Sequence, residues 1–306
     1  MVCLAMCAVR TGLAAGVVPD GGTITTATVG ANGRVTIGIA APVGGVSNNT
    51  YRDFNVSRAG VDFDNHTAGA RNIVNSVTST NPSVLAGPMS VLGTRANVII
   101  SNPNGVSING LIVQNVGNLA LTTGQVSPDS IAVTSGQVPR NIVLTTSQGT
   151  IEIGPEGLSG TSLNLELSAK RIRVGGPVTN LYEHPNAKVR LVAGSSRAEI
   201  DTSISATDNL TRWIAYSAPT VSAGQGIAID ITGAGSLSSG RIELMVTDQG
   251  AGVRHAGAAY ATAGDFSVSG TGDLQLASGT VTARQHPCGG HHDHGGPGDR
   301  RSRPGP

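Results

Sequence analysis

Rings are scarce in this chain: aromatic residues make up 3% of its 306 positions, with Trp 1, Tyr 4 and Phe 3. A thick globular core built on aromatic packing is therefore excluded. Cysteine is equally sparse, and Cys3, Cys7 and Cys288 all lie outside the patterned body. Neither a disulfide framework nor a Cys-x-x-Cys metal site follows from that spacing. Charged residues reach only 13% and the formal net charge is +1, which excludes a basic nucleic-acid footprint and a polybasic membrane anchor. No stretch is long and apolar enough to span a bilayer. Helical periodicity is missing as well, with residues 68–77 the one ambiguous segment.

What the chain does have is glycine, 43 residues of it, together with many short runs in which aliphatic residues recur at every second position. Examples are Val35/Ile37/Ile39, Val61/Phe63, Ile151/Ile153, Leu163/Leu165/Leu167, Ile172/Val174, Val189/Leu191, Ile227/Ile229/Ile231, Ile242/Leu244/Val246, Phe266/Val268 and Leu274/Leu276. Period-two alternation bounded by Gly, Asn, Pro or Asp marks short half-buried strands. One face of each strand is aliphatic and the other carries Ser, Thr, Asn, Glu or Arg. A strand this short cannot hide its apolar face alone. Strands piled in successive coils can, and an irregular repeat of about 18 to 24 residues in the later half fits such a solenoid. A sandwich or jelly roll also uses many short strands, but it leans on rings and on Asn-Gly or Asp-Gly hairpins that this chain hardly has.

Residues 95–110 condense the pattern: Arg-Ala-Asn-Val-Ile-Ile-Ser-Asn-Pro-Asn-Gly-Val-Ser-Ile-Asn-Gly. Val98/Ile100 and Val106/Ile108 flank the tetrapeptide Asn102-Pro103-Asn104-Gly105. Pro103 presets φ at the second position of a turn, Asn104 tolerates the third and Gly105 suits the fourth, so a type I turn is expected.

The two ends differ from the body. Residues 1–15 are small and apolar, interrupted by Arg10, and lead into Leu13-Ala14-Ala15-Gly16. They read as the truncated end of a signal-peptide-like leader. Residues 284–306 hold no branched aliphatic residue and are expected to be disordered. Cys288, His291, His292, Asp293 and His294 there have metal-binding composition, but a Gly/Pro tract supplies no second shell to orient ligands, so no metal site is assigned.

Candidate chemistry is thin. Asp62 and Asp64 share one strand face, as the paired carboxylates of β-helical polysaccharide hydrolases or lyases do. A secreted enzyme of that kind is the alternative reading, although no second charged cluster completes such a site and a solvated strand face explains the pair. His66, His184 and His255 are isolated and expected on the surface or in loops. Gly30-Ala-Asn-Gly33 is a turn with no helix after it to cradle phosphate. No catalytic residue and no cofactor is expected.

Three blocks carry a family likeness: Tyr51-Arg-Asp-Phe-Asn-Val56 with Gly60-Val-Asp-Phe-Asp-Asn65, then residues 91–105 ending in Asn-Pro-Asn-Gly, then Leu119-Ala-Leu-Thr-Thr-Gly124. With them the chain resembles the two-partner secretion (haemagglutinin activity) domain of filamentous haemagglutinins, haemolysins and contact-dependent inhibition exoproteins. The resemblance runs over residues 16–180, with haemagglutinin-type repeats over 181–283. It implies an all-β, right-handed parallel β-helix that passes through the periplasm of a Gram-negative bacterium. It also implies recognition by POTRA domains of a cognate outer-membrane transporter and folding outside the cell, secreted or on the surface. Asn102, Pro103, Asn104 and Gly105 match the family's secretion motif and are assigned to transporter recognition. An Asn-Pro-Asn-Leu motif found in many members is not matched here, where the sequence reads Asp64-Asn65-His66-Thr67-Ala68. Host cells or neighbouring bacteria would be met through regions downstream of this chain. A plain structural repeat protein without a transporter is the third reading.

Overall fold

A computed structural model describes residues 16–131, 141–218 and 223–284. The leader at 1–15 and the residues at 285–306, including the Cys/His tract, lie outside the described residues.

The alternating runs form three sheets that wrap one core. A nine-stranded sheet contains Val46–Asp53, Asn72–Val77, Ala96–Ser101, Val116–Thr122, Asn164–Ala169, Lys188–Ala193, Arg241–Val246 and Phe266–Ser269, with Val18–Pro19 at its edge. The chain then turns into a seven-stranded sheet (Ser83–Leu85, Val106–Ile108, Thr150–Ile153, Arg171–Val174, Ile227–Ile231, Gly252–His255, Leu274–Leu276) and on into a ten-stranded one. Within a sheet successive coils pair in parallel. Leu119 stacks on Val98 and Leu165 on Leu119, while Ile151 stacks on Val106 and Ile172 on Ile151. This is a parallel β-helix.

Side-chain alternation sends one residue in two inward. Val98, Ile108, Ile153, Leu165 and Ile229 are drawn from several coils and two of the sheets, yet all belong to a single buried cluster. Like groups lie over like groups in register, so each coil covers the apolar floor left by the coil before it. Neighbouring coils of the later half pair residues 20, 21, 22 or 24 positions apart, within the repeat read from the sequence. Residues 68–77, ambiguous by pattern, contribute the strand Asn72–Val77, with Ile73 and Val77 inside the core.

The first coils are closed by antiparallel pairing. Thr26–Val29 folds back on Val35–Gly38, and Val18–Pro19 pairs antiparallel with the end of Val46–Asp53. Beneath this cap sit three of the few rings. Tyr51 meets Phe54 edge-on at 5.1 Å, Phe54 stacks on Phe63 at 6.2 Å, and the Tyr51 hydroxyl donates to Asn75 Oδ1 at 2.9 Å. The opposite end has no such cover: Leu274 is 49% exposed and Leu276 61%. The pattern had marked that pair as a half-buried strand, but no further coil among the described residues lies over it.

Two detours leave the coil path after Val116–Thr122 and after Lys188–Ala193. Across them the interval between stacked partners jumps to 46 and 53 residues. Their strands, Gln125–Val126, Ile142–Thr146, Ser196–Ile200 and Ile214–Ser217, join into an antiparallel four-stranded sheet. That sheet packs Leu144, Ile200 and Trp213 on Val74, Ile99 and Ala120, the outward residues of the nine-stranded sheet, forming a second core outside the helix.

Turns between sheets are tight. Gly157 has φ +68°, and a Cβ there would lie 2.0 Å from the carbonyl oxygen of Pro177, so only glycine lets the two coils approach. Leu121 is fully buried, whereas Ile112 is 45% exposed. Leu121→Ala is expected to cost about 2–5 kcal/mol in urea denaturation, and Ile112→Ala about 0.5 kcal/mol or less. Equal losses for the two would contradict the inward and outward assignment.

Candidate recognition site

The tetrapeptide singled out in the sequence forms the expected turn. Gly105 N–H donates to the Asn102 carbonyl at 3.1 Å, and Gly105 has φ +119°. The corner joins Ala96–Ser101 of the nine-stranded sheet to Val106–Ile108 of the seven-stranded one. Its side chains face the preceding coil. Asn102 is fully buried, and its Nδ2 donates to the Asn81 carbonyl and to Ser83 Oγ, both at 2.9 Å. Asn102 Oδ1 accepts from the Asn104 backbone N–H and from Asn104 Nδ2, each at 3.0 Å. Asn104 Nδ2 also reaches the Ser79 carbonyl at 2.7 Å. On the other side Asn102 N–H donates to Thr122 O at 2.9 Å, and a Cβ on Gly149 would approach Pro103 O to 2.7 Å. The turn is thus bolted between the coils on either side of it, with Pro103 and Asn104 only half-buried.

Pro103 and Asn104 also form one wall of a groove of about 510 Å³ between the nine-stranded sheet and the outer antiparallel sheet. Asn48, Ser76, Val126 and Ile131 line the rest of it. The third block of the sequence locks in nearby, where Ser101 Oγ donates to Gly124 O at 2.6 Å and Gly124 N–H to Thr122 Oγ1 at 2.8 Å.

The two aspartates do not make an acid–base pair. Asp62 takes Arg34 with both oxygens, at 2.5 and 2.6 Å, and Asp64 bonds the ring and the backbone N–H of His66. The His66 hydrogen bonds hold the Asp64 carboxyl below its usual range. His66 is exposed, and His184 stacks on Tyr182 at 5.8 Å. His255 corrects the sequence reading, because it is wholly buried, beside Phe266 at 6.0 Å and Thr280 O at 3.2 Å. Its place in the inward register of Gly252–His255 puts it under the last coils. No group of three or more His, Cys, Asp or Glu that could hold a metal occurs among the described residues, and no helix there is long and apolar enough to cross a membrane.

Two features escaped the sequence reading. One is an asparagine ladder on the nine-stranded sheet: Asn97 Nδ2 donates to Asn72 Oδ1 at 3.1 Å, Asn118 to Asn97 at 2.8 Å and Asn164 to Asn118 at 2.6 Å. Asn72 and Asn97 also donate to the carbonyls of Thr202 and Ile204 in the second detour. The ladder's signal is an Asn followed directly by a branched aliphatic residue, repeated at residues 72, 97, 118 and 164. The other is a charged cluster on the same face, under the outer sheet. Glu243 receives Lys188 Nζ at 2.8 Å and Arg190 Nε at 2.6 Å, while Arg190 Nη1 lies 3.5 Å from Glu166. Burial pushes the Glu166 carboxyl above its usual range, and its charged neighbours only partly offset this. For Glu243 burial also acts upward, but the Lys188 and Arg190 cations outweigh it and hold that carboxyl low.

A β-helical domain with an antiparallel cap and an internally bonded Asn-Pro-Asn-Gly corner is the class these observations define. The chain belongs to the TPS (two-partner secretion) secretion domain family, which it matches over residues 15–276. It is 35% identical to filamentous hemagglutinin of Bordetella pertussis, over 88% of this chain and 8% of that protein. It is also 32% identical to the 16S rRNA endonuclease CdiA of Enterobacter cloacae subsp. cloacae, over 93% of this chain and 9% of the relative. The crystal structure of the filamentous hemagglutinin secretion domain superposes with a TM-score of 0.66 at 32% identity, covering 88% of this chain and 95% of that one. The chain therefore spans less than a tenth of the length of these curated relatives.

A carboxyl whose folded-state pKa lies above its unfolded value binds more protons in the folded state. Its contribution to stability is full below the unfolded value and is lost as pH rises through the folded one. Glu166→Gln removes that loss. Measured by denaturation, the variant is expected to gain on the parent between pH 4.5 and pH 7, and a constant difference across that window would show that the Glu166 charge is fully compensated.

Proposed function

We propose that this chain is the secretion-targeting module of a larger exoprotein or adhesin. In this reading Asn102, Pro103, Asn104 and Gly105 are read by the POTRA domains of an outer-membrane transporter while the chain is still unfolded in the periplasm. The observation that carries the proposal is the fate of the two asparagines. In the folded coil Asn102 is fully buried and both side amides are spent on neighbouring backbone and side chains. A partner that reads these amides must meet them before the coil forms. Membership in the two-partner secretion family supplies the kind of partner.

The fold suits such a route. The body between Cys7 and Cys288 has no cysteine to mispair in an oxidising compartment. Every coil buries aliphatic side chains on its predecessor as it emerges, at about 25 cal/mol per Å² of apolar surface, so folding on the far side can draw the chain outward. Recognition falls in residues 16–180 and the start of a shaft in 181–283. The module performs no covalent chemistry, with Asp62 and Asp64 committed to Arg34 and His66. Contact with host cells or neighbouring bacteria belongs to downstream regions, and the module's destination is the medium or the cell surface.

A secretion assay beside the cognate transporter tests the reading. Asn102→Ala with Asn104→Ala is expected to abolish export. Ser83→Ala removes the hydroxyl that accepts from Asn102 and weakens the same turn, yet leaves the tetrapeptide intact, so export is expected to persist. Equal loss of export in both would show that only the shape of the coil matters.

A further inference from the structure

Beside the charged cluster, and apart from the turn, lies a cleft of about 230 Å³ between the nine-stranded sheet and the segment that leads into Ile214–Ser217. Its walls carry four cationic side chains, Lys188, Arg190, Arg212 and Arg241, together with Glu166 and Trp213. Lys188 and Arg190 are occupied by Glu243 and Glu166. No ion pair reaches Arg212 or Arg241 among the described residues. Two positive charges therefore remain without carboxylates at one small opening.

Trp213 is only 2% exposed, and its Nε1–H has no acceptor among the described residues. Arg241 Nε is buried and likewise has none. An indole N–H and a guanidinium N–H are donors only, so each lacks an acceptor, and leaving a buried donor unsatisfied is costly. Two oxygen acceptors of the lining are already engaged: Glu166 takes Arg190 and the Tyr216 hydroxyl at 3.4 Å, and Ile214 O faces Arg190 Nη1 at 3.5 Å. On the loop side Asn209 Nδ2 is held against His184 Nε2 at 3.1 Å, and Asp208 is turned to its own loop, accepting from the N–H groups of Leu210 and Thr211. Two unpaired cations and two unsatisfied donors suit an acceptor with negative charge, small enough for this volume.

We infer that the cleft binds a small oxyanion group, a carboxylate or a sulfate, through Arg241 and the indole N–H of Trp213, with Arg212 at its mouth. A planar guanidinium in the same lining as a buried indole donor suits an oxygen pair better than a point charge does, since charge-assisted bonds to Arg are directional and often doubled. Nothing in this site overlaps Asn102, Pro103, Asn104 or Gly105, so it stands independently of transporter recognition.

Trp213 is the only tryptophan, so the ¹⁵N-labelled chain gives a single indole N–H resonance that reports on the site. Sodium acetate and sodium sulfate are titrated separately at constant ionic strength held with sodium chloride. The indole resonance is expected to move saturably with one of them, and the tighter anion names the group. Arg241→Gln is expected to weaken binding about tenfold or more while the other backbone resonances stay in place. Arg241→Lys, which keeps the charge but not the Nε donor, is expected to fall between. Should Arg241→Gln perturb the fold, Arg212→Gln at the exposed mouth gives the second reading, with weakening expected there too. A resonance that stays still with both anions, or shifts linearly without saturation, overturns the site. So does a folded Arg241→Gln variant that titrates like the parent.

Discussion

In-register parallel stacking is the constraint on which everything else in this molecule rests. A parallel ladder places each residue directly over its counterpart in the coil below, so a side chain can be satisfied only by a side chain of matching character. Aliphatics fall on aliphatics through the interior, from Val98 to Leu119 to Leu165 to Val189. Polar groups obey the same rule outside, where Asn72, Asn97, Asn118 and Asn164 hand hydrogen bonds from coil to coil. An amide carries both a donor and an acceptor, which is why Asn can stack on itself indefinitely while Asp or Lys cannot. Charges enter the ladder by alternating in sign, as in Glu152–Arg173–Asp230–Arg254 and Glu166–Arg190–Glu243.

Stacking also gives the molecule a direction. At the beginning, antiparallel strands and the Tyr51, Phe54 and Phe63 rings seal the core. At the far end Leu274 and Leu276 stand open. A sealed floor is a template for the next coil, whereas no described residue covers the opposite end. Order of burial can thus coincide with order along the chain.

The strands of the coil were legible because their pattern has period two and their burial is one-sided. The Asn102–Gly105 corner was legible because its residue types match a specific turn. What could not be read was the outer sheet. Ile142, Leu144, Ile200 and Ile214 alternate like any coil strand, and nothing local distinguishes a strand that joins the helix from one that lies on it. The clue is on the partner surface: Val74, Ile99 and Ala120 sit at outward positions of the nine-stranded sheet, where a bare solenoid would carry polar groups. His255 failed for a related reason. One inward position on a short strand is decided by register, and the composition around it gives no sign of burial.

Under the proposed function, the residues of the Asn102–Gly105 corner serve two states in turn. Before the coil forms, Asn102 and Asn104 expose amides in a Pro-stiffened tetrapeptide, a compact pattern of donors and acceptors with little conformational entropy to lose. Once the coils before and after are in place, the same amides hold Ser79, Asn81 and Ser83 on one side, while the corner's own backbone holds Thr122 on the other. A contact made in the first state must be released for the second to form. On that reading folding competes with whatever holds the unfolded corner, and burial of the surrounding aliphatics favours release. The hydrogen bonds that shape the turn are thus the same ones that would make its recognition transient.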